Sequence, residues 1–317
     1  MKAAVVESFE AGPRYGDFPE PQAEPDEVVV SVKAAAVTQL ARAFAAGKHP
    51  AAPRPPVVPG TDGVGVVEGR RVYFAFPRPP LGSMAEQVAV KRSFTVPVPE
   101  SVDDVTAAAA SNPGMSSWVG LTRRARFERG ESVLVNGAAG ISGRLAIQVA
   151  KQLGARRVVA TARNPAVEAE LRELGADAFI VLEQDASALT DAFRRELREH
   201  GIDVVLDYLY GNPAEAFIHA CVGPGRGAAE PRVRFIQLGT LAGPNITLPA
   251  TALRGSGLEL LGNGLGAVSN QELVRGIGEF LATYRAGGFR VETAVAPLRD
   301  VAAAWSQASR ARLVFTT

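Results

Sequence analysis

"SVLVNGAAGISGRLAIQVAKQLGA", residues 132–155, decides the fold. A short apolar run ends in a glycine-rich turn, and the turn opens a segment whose apolar residues recur at helical spacing. Strand, tight turn, helix is the order in which a backbone approaches a dinucleotide pyrophosphate. The free N–H groups and positive end of the helix then bind that negative charge. The expected G-x-G-x-x-G reads A-x-G-x-x-G here, with Ala138, Gly140 and Gly143 at the three places. The middle glycine gives close approach and the third packs helix on strand. The first serves the turn, which alanine can fill if its φ is negative. The segment holding Ala138, Gly140, Ile141, Ser142 and Gly143 is therefore read as a cofactor turn, although such turns also close α/β sheets that bind nothing.

The cofactor's identity is sought at the end of the next strand, in "VVATARNPAVEAE" (158–170). An acid there would hold the ribose 2′-hydroxyl of NAD. Ala162, Arg163 and Asn164 stand in its place. A guanidinium forms charge-assisted hydrogen bonds with a 2′-phosphate, whereas a carboxylate repels it. The expectation is NADP(H). Asn164 is also a natural N-cap with Pro165 at the first helical position, a role compatible with the first.

Further out, strands and helices alternate: helices near 141–153, 165–174 and 187–199, and strands in "RRVVATA", "AFIVL", "DVVLDYL", "RVRFIQLG" and "LELLGN". Such alternation implies βαβ units around a doubly wound parallel sheet. The first hundred residues differ. "AAVVES", "EVVVSVKAAAV", "GVGVVEG", "RVYFAF" and "EQVAV" are short, β-branched and punctuated by Pro and Gly, which suggests a small barrel-like domain without intervening helices. "VDDVTAAAASNPGMSSWVGLTRRA" is helix-forming on each side of Asn112-Pro113-Gly114, which should break or kink it. The tail adds a helix, a strand, another helix and a final strand.

With 317 residues, 47% hydrophobic and 21% charged, the chain has material for two domains with cores. A net charge of +1 recommends neither nucleic acid nor an acidic membrane surface as partner. "RRARFERGE" (123–131) alternates its arginines with acids and apolar residues and reads as a solvated helix end. The single cysteine, Cys221, excludes disulfides within the chain and zinc sites built from several thiolates. In "FIHACVG" it reads as a packing thiol rather than a nucleophile. No segment runs to 18 uninterrupted apolar residues, so a cytoplasmic enzyme is expected.

Over nearly its whole length the chain resembles the medium-chain dehydrogenase/reductase superfamily, zinc-independent quinone oxidoreductase type. "VVPGTDGVGVV", "GSMAEQVAV", "AAAASNPGMSSWVGL", "LRELGAD", "GIDVVLDYL" and "RFIQLGTLAG" carry the resemblance together with the opening stretch. It implies an α/β chain in which a GroES-like β-rich catalytic domain (1–118 plus 265–317) is interrupted by a Rossmann-type domain (119–264). It also implies NADPH use and a homodimer. Zinc-dependent relatives need an early Cys or His and a Gly-His-Glu segment; here the matching places read "AAAVTQL" and "PGTDG". As zinc donors around those places the sequence offers only Asp62 and a distant His49, so no metal is expected. Without a Lewis acid an alkoxide lacks stabilisation, whereas a quinone or α,β-unsaturated carbonyl spreads the charge itself. The expected function is zinc-free hydride transfer from NADPH to such a small molecule. A 2-enoyl thioester reductase and a catalytically idle NADPH-binding sensor are the alternatives.

The resemblance also nominates residues. Thr38 stands where relatives commonly place an Asn facing the nicotinamide, with a plain strand threonine as the alternative. His49 matches a position often held by Tyr near the substrate, or is a loop histidine with no task. Tyr73 lies where relatives meet the cleft, or packs in the core. Ser116 corresponds to a Thr near the nicotinamide. Beyond the carboxyl ends of the strands, Tyr208, Gly239, Thr240, Gly262 and Asn263 are placed beside ribose and carboxamide. Asp207 is read as structural. Relatives clamp the 2′-phosphate with a Lys and a Tyr where this chain has Val167 and Leu182, which leaves Arg163 to act largely alone.

Overall fold

Short β-branched and alanine-rich runs become the strands of the N-terminal part in a computed structural model that describes residues 1–223, 230–307 and 310–317. β1 (Lys2–Val5) and β2 (Arg14–Asp17) pair antiparallel. β3 (Glu27–Ala36) alternates buried and exposed residues over Val28–Ala34, the mark of a strand with one face on a core. A helix that the sequence reading did not anticipate, α1 (Gln39–Ala45), follows. Its seven residues are too few for a clear period, yet Gln, Leu, Ala and Arg favour helix and Thr38 caps it. β4 (Asp62–Val67), β5 (Arg70–Ala75), β6 (Gln87–Lys91) and β7 (Thr95–Pro97) complete this stretch.

α2 (Asp104–Val119) does not break at Asn112–Gly114, one of the two outcomes expected there: it runs through Pro113 and then widens into a π-turn, Gly120–Ala125. Ala107–Ser111 and Ser117–Leu121 are buried, and that burial outweighs the hydrogen bond that Pro113 removes. The chain divides into two units inside this helix. One is Met1–Pro113 with Ser269–Thr317; the other is Gly114–Val268. The expected divisions were after residues 118 and 264.

In the Gly114–Val268 unit, β8 (Ser132–Asn136), α3 (Ile141–Leu153), β9 (Arg157–Ala162), α4 (Glu168–Glu173), β10 (Ala178–Val181), α5 (Ala186–Glu199), β11 (Val204–Asp207), α6 (Gly211–Ala220), β12 (Arg232–Gln237), α7 (Ala250–Arg254) and β13 (Gly257–Gly262) alternate. The sheet order is β10-β9-β8-β11-β12-β13, and every pairing is parallel. The order reverses between β8 and β11, where a doubly wound sheet has its crevice. All five residues of β8 are buried, as a strand covered by helices on both faces requires. Leu134, Val159, Phe193, Val205, Phe217 and Phe235 centre one side of the core.

The chain then returns to the first unit through α8 (Asn270–Gly287), β14 (Thr293–Pro297), α9 (Val301–Ala304) and β15 (Arg312–Thr316). Its seven-stranded sheet runs β14-β15-β3-β4-β5-β7 with β6 also on β3, antiparallel except for β14 with β15. Among the described residues no helix is long and apolar enough to cross a membrane.

Candidate functional site

The glycine turn sits on the central strand of the parallel sheet. Gly137 turns the chain at φ +89°, and its N–H donates to Thr161 Oγ1 at 3.0 Å. Ala138 is fully buried, lies outside the left-handed region, and donates its N–H to Thr161 O at 2.8 Å. Positive φ therefore falls one residue before the alanine, which is why alanine is tolerated there. Gly140 caps α3 with no side-chain hydrogen bond, and a Cβ built on it meets nothing within 4 Å. The first N–H groups of α3, from Ile141, Ser142 and Gly143, have no partner within the helix, and Gly140 before them is exposed. Gly143 is the opposite case: a Cβ there would lie 2.5 Å from Gly137 O and 2.6 Å from Ala138 Cα. The side chain of Arg144 braces the turn, with Nε on Ala139 O at 2.8 Å and an ion pair to Glu170.

At the end of neighbouring β9, Ala162 is buried while Arg163 and Asn164 are exposed. Asn164 Oδ1 accepts from Ala166 N at 2.9 Å, with Pro165 following, so the expected cap is present and Arg163 extends outside it. Val167 is buried, and Leu182 packs against the core.

Beyond β11 the structure brings three nominated residues together. Tyr208 OH and Ser116 Oγ share a 3.1 Å hydrogen bond, and Asn263 Nδ2 donates to Ser116 O at 3.0 Å. Tyr208 is buried, and that burial raises its hydroxyl pKa despite the serines beside it. Gly239 packs against the same turn: a Cβ there would stand 2.6 Å from Tyr208 O. Thr240 and Gly262 border an open cavity of about 390 Å³ together with Tyr210, Phe235 and Leu260. Gly262 O also accepts from Arg124 Nε at 2.7 Å, so one arginine of the 123–131 cluster holds backbone.

Of what lies beneath, the sequence marks only Asp207 as structural and leaves Asn136 and Thr161 unremarked. Asn136, Thr161 and Asp207 are buried polar residues joined by hydrogen bonds at the ends of β8, β9 and β11. Burial pushes the Asp207 carboxyl up to about 6, against the N–H donors of Asn136, Leu209 and Tyr210. A lone polar residue inside the apolar runs "VLVN" and "VVATA" was the available signal.

The three nominated reactive residues lie in the other unit, and their hydrogen bonds run to different partners. Thr38 stands outside β3, in the link to α1, where its Oγ1 caps the helix by accepting from Ala41 N at 3.0 Å. His49 Nδ1 accepts from Ala51 N at 3.1 Å, and its ring rests on Phe44 with centroids 4.5 Å apart. That bond places the proton of neutral His49 on Nε2. Tyr73 is fully buried and donates to Asp62 Oδ2 at 2.8 Å, while Thr61 donates to Asp62 Oδ1 at 2.6 Å. Burial raises the Asp62 carboxyl, with Thr61, Tyr73 and Arg312 working against it. Cys221, in the parallel-sheet unit, is pushed up to about 12 by burial, as suits a packing thiol.

A family model described as zinc-binding dehydrogenase matches residues 143–268. The probable NADPH-dependent quinone reductase tdiC of Emericella nidulans is 29% identical, over 96% of this chain and 96% of that protein. The chloroplastic NADPH-dependent alkenal/one oxidoreductase of Arabidopsis thaliana is 36% identical over 50% of this chain and 46% of its own length. Among solved structures, the quinone oxidoreductase of Thermus thermophilus, also described in complex with NADPH, superposes with a TM-score of 0.80 at 29% identity, covering all of both chains.

Proposed function

Since the chain belongs to the medium-chain dehydrogenase/reductase superfamily, quinone oxidoreductase type, we propose that it is an NADPH-dependent reductase of quinones or α,β-unsaturated carbonyls. The observation that carries this reading is the open turn over Gly140, with the packed Gly143 behind it and no acid at the end of β9. Residues present fit the dinucleotide. The N–H groups opening α3 hold a pyrophosphate, Arg163 holds a 2′-phosphate, and Ser116, Tyr208, Gly239, Thr240, Gly262 and Asn263 border the ribose and carboxamide. The chemistry NADPH supplies when bound is hydride donation.

The residues present do not fit zinc. Tetrahedral zinc needs Cys, His or carboxylate donors in close array. Asp62 is buried with both oxygens accepting hydrogen bonds, Thr61 stands beside it, and the sole cysteine belongs to the other unit. Acceptor electrophilicity must therefore reside in the substrate, which a conjugated carbonyl provides. Within the first unit, the Thr38 hydroxyl and the Nε2–H of His49 are hydrogen-bond donors of the kind a carbonyl oxygen accepts. Tyr73 has its hydroxyl committed to Asp62 and acts as support for the Thr61–Asp62 turn rather than as a contact. The tdiC relative and the alkenal/one oxidoreductase support both acceptor classes.

We also propose a homodimer formed along β13, one of the two edges of the parallel sheet, where Leu260 is 37% and the following Leu265 52% exposed. A cytoplasmic location belongs to the same reading. The deciding experiment titrates NADPH and NADH by fluorescence and follows NADPH oxidation with quinones, enones and enoyl thioesters. NADPH binding with turnover of the first two classes is expected. Absence of NADPH binding refutes the proposal, and binding without turnover of any acceptor leaves only a nucleotide-binding protein.

A further inference from the structure

Three side chains buried under the sheet's crevice form a single directed chain of hydrogen bonds between two turns. Gly137 N–H donates to Thr161 Oγ1 at 3.0 Å, and Thr161 donates to Asn136 Oδ1 at 2.7 Å. Asn136 Nδ2 then donates to Asp207 Oδ1 at 2.7 Å. The Asp207 carboxylate also accepts from Leu209 N at 3.1 Å and from Tyr210 N at 3.0 Å. The direction has no freedom. The one Thr161 proton goes to Asn136, which fixes the amide's orientation and aims its NH₂ at the carboxylate.

What the chain holds is backbone. Gly137 begins the glycine turn. Leu209 and Tyr210 follow Tyr208, and Tyr210 adopts φ 56° and ψ −154°, a conformation that side-chain-bearing residues rarely adopt. Apolar residues would fill the space of Asn136, Thr161 and Asp207, but they would leave three N–H groups without these acceptors. The polar residues are thus explained by the turns they serve, not by core packing.

We propose that Asn136 and Thr161 are positioning residues that lock the glycine turn to the Tyr208–Gly211 turn, so that occupancy of the first orders the second. This rests on the nucleotide reading of the glycine turn. It goes beyond that reading by making the cofactor's two halves energetically coupled through the protein. An adenosine phosphate too short to span the dinucleotide site then still tightens the turn that serves the other half.

Hydrogen exchange of the whole chain with adenosine 2′,5′-bisphosphate tests this. Binding is expected to slow exchange in the 137–143 segment and also, at least threefold, in the 207–214 segment. Thr161→Val should keep the local protection and lose the distal one, and should raise the NADPH Kd about tenfold, the loss of one hydrogen bond. Thr161→Ser, which retains the hydroxyl, should restore both. Protection confined to 137–143 in the wild type overturns the coupling and leaves the nucleotide reading standing. Protection of neither segment, with no NADPH binding, overturns both. If Thr161→Val fails to fold, the wild-type measurement and Thr161→Ser still decide.

Discussion

Replacing Gly140 and Gly143 separately with alanine should divide binding from folding. At Gly140 the backbone stands at φ −78° and ψ 165°, open to any residue, and the added Cβ meets nothing within 4 Å. Alanine is a poorer N-cap than glycine, but it also lowers the entropy of the unfolded chain. The two effects are each about 0.5–1 kcal/mol and opposite in sign, so stability should hardly move. The methyl nevertheless fills the space through which a phosphate approaches the N–H groups of α3. Losing one charge-assisted hydrogen bond, about 1.5–3 kcal/mol, raises the NADPH Kd between about tenfold and a hundredfold.

At Gly143 the new Cβ falls 2.5 Å from Gly137 O and 2.6 Å from Ala138 Cα, both backbone atoms. Neither atom gives easily, because Gly137 N–H and Ala138 N–H are both bonded to Thr161. Overpacking costs about 1–3 kcal/mol, which the gain of about 1 kcal/mol from alanine in a helix offsets only in part. Thermal unfolding and fluorescence titration of NADPH on both variants read the two quantities. Gly140→Ala with wild-type affinity would falsify the placement of the pyrophosphate. Gly143→Ala with undiminished melting temperature would refute the packing argument.

Arg163→Ala should weaken NADPH about tenfold while changing NADH little, because the guanidinium meets only the 2′-phosphate; equal effects on the two cofactors in titrations would remove it as the discriminator. Asp207 carries a pH signature: its folded pKa of about 6 lies above the unfolded 3.8. Its contribution to stability is therefore fully present below pH 3.8 and is lost as pH rises through 6, by about 3 kcal/mol at most. Wild type minus Asp207→Asn in urea unfolding should fall over that window and be flat above it; a flat difference throughout contradicts the shift. Leu260→Glu at the β13 edge should yield monomers in sedimentation velocity, and an unchanged dimer would place the interface elsewhere.

The parallel sheet was legible because its strands are buried on both faces and its helices are long enough to show a period. Helix bounds at Ile141–Leu153 and Ala186–Glu199 follow directly from that pattern. Short or overridden elements were not legible. α1 has seven residues and no measurable period, and α2 continues through Pro113 because buried neighbours on both sides outweigh a local preference. The nominated reactive residues suffered from a similar limit. Thr38 and Tyr73 are polar groups whose partners, Ala41 N and Asp62, are set by folding. Sequence can place a hydroxyl near a site, but not say whether its bonds are already committed.

The glycine turn shows why a motif is better read as a set of backbone requirements than as letters. Three demands must be met: a reversal at positive φ, an unobstructed approach, and a close helix–strand contact. Gly137, Gly140 and Gly143 meet them in that order. Ala138, at the motif's first glycine position, carries none of them, because the reversal sits one residue earlier. What fixes the reversal is Thr161, on the next strand, whose hydroxyl and carbonyl accept the N–H groups of Gly137 and Ala138. The lone threonine of "VVATA" thus belongs to the turn as much as the glycines do. A chain that kept all three glycines but put valine at position 161 would satisfy the pattern and lose the hydroxyl that ties the reversal to Asn136 and Asp207.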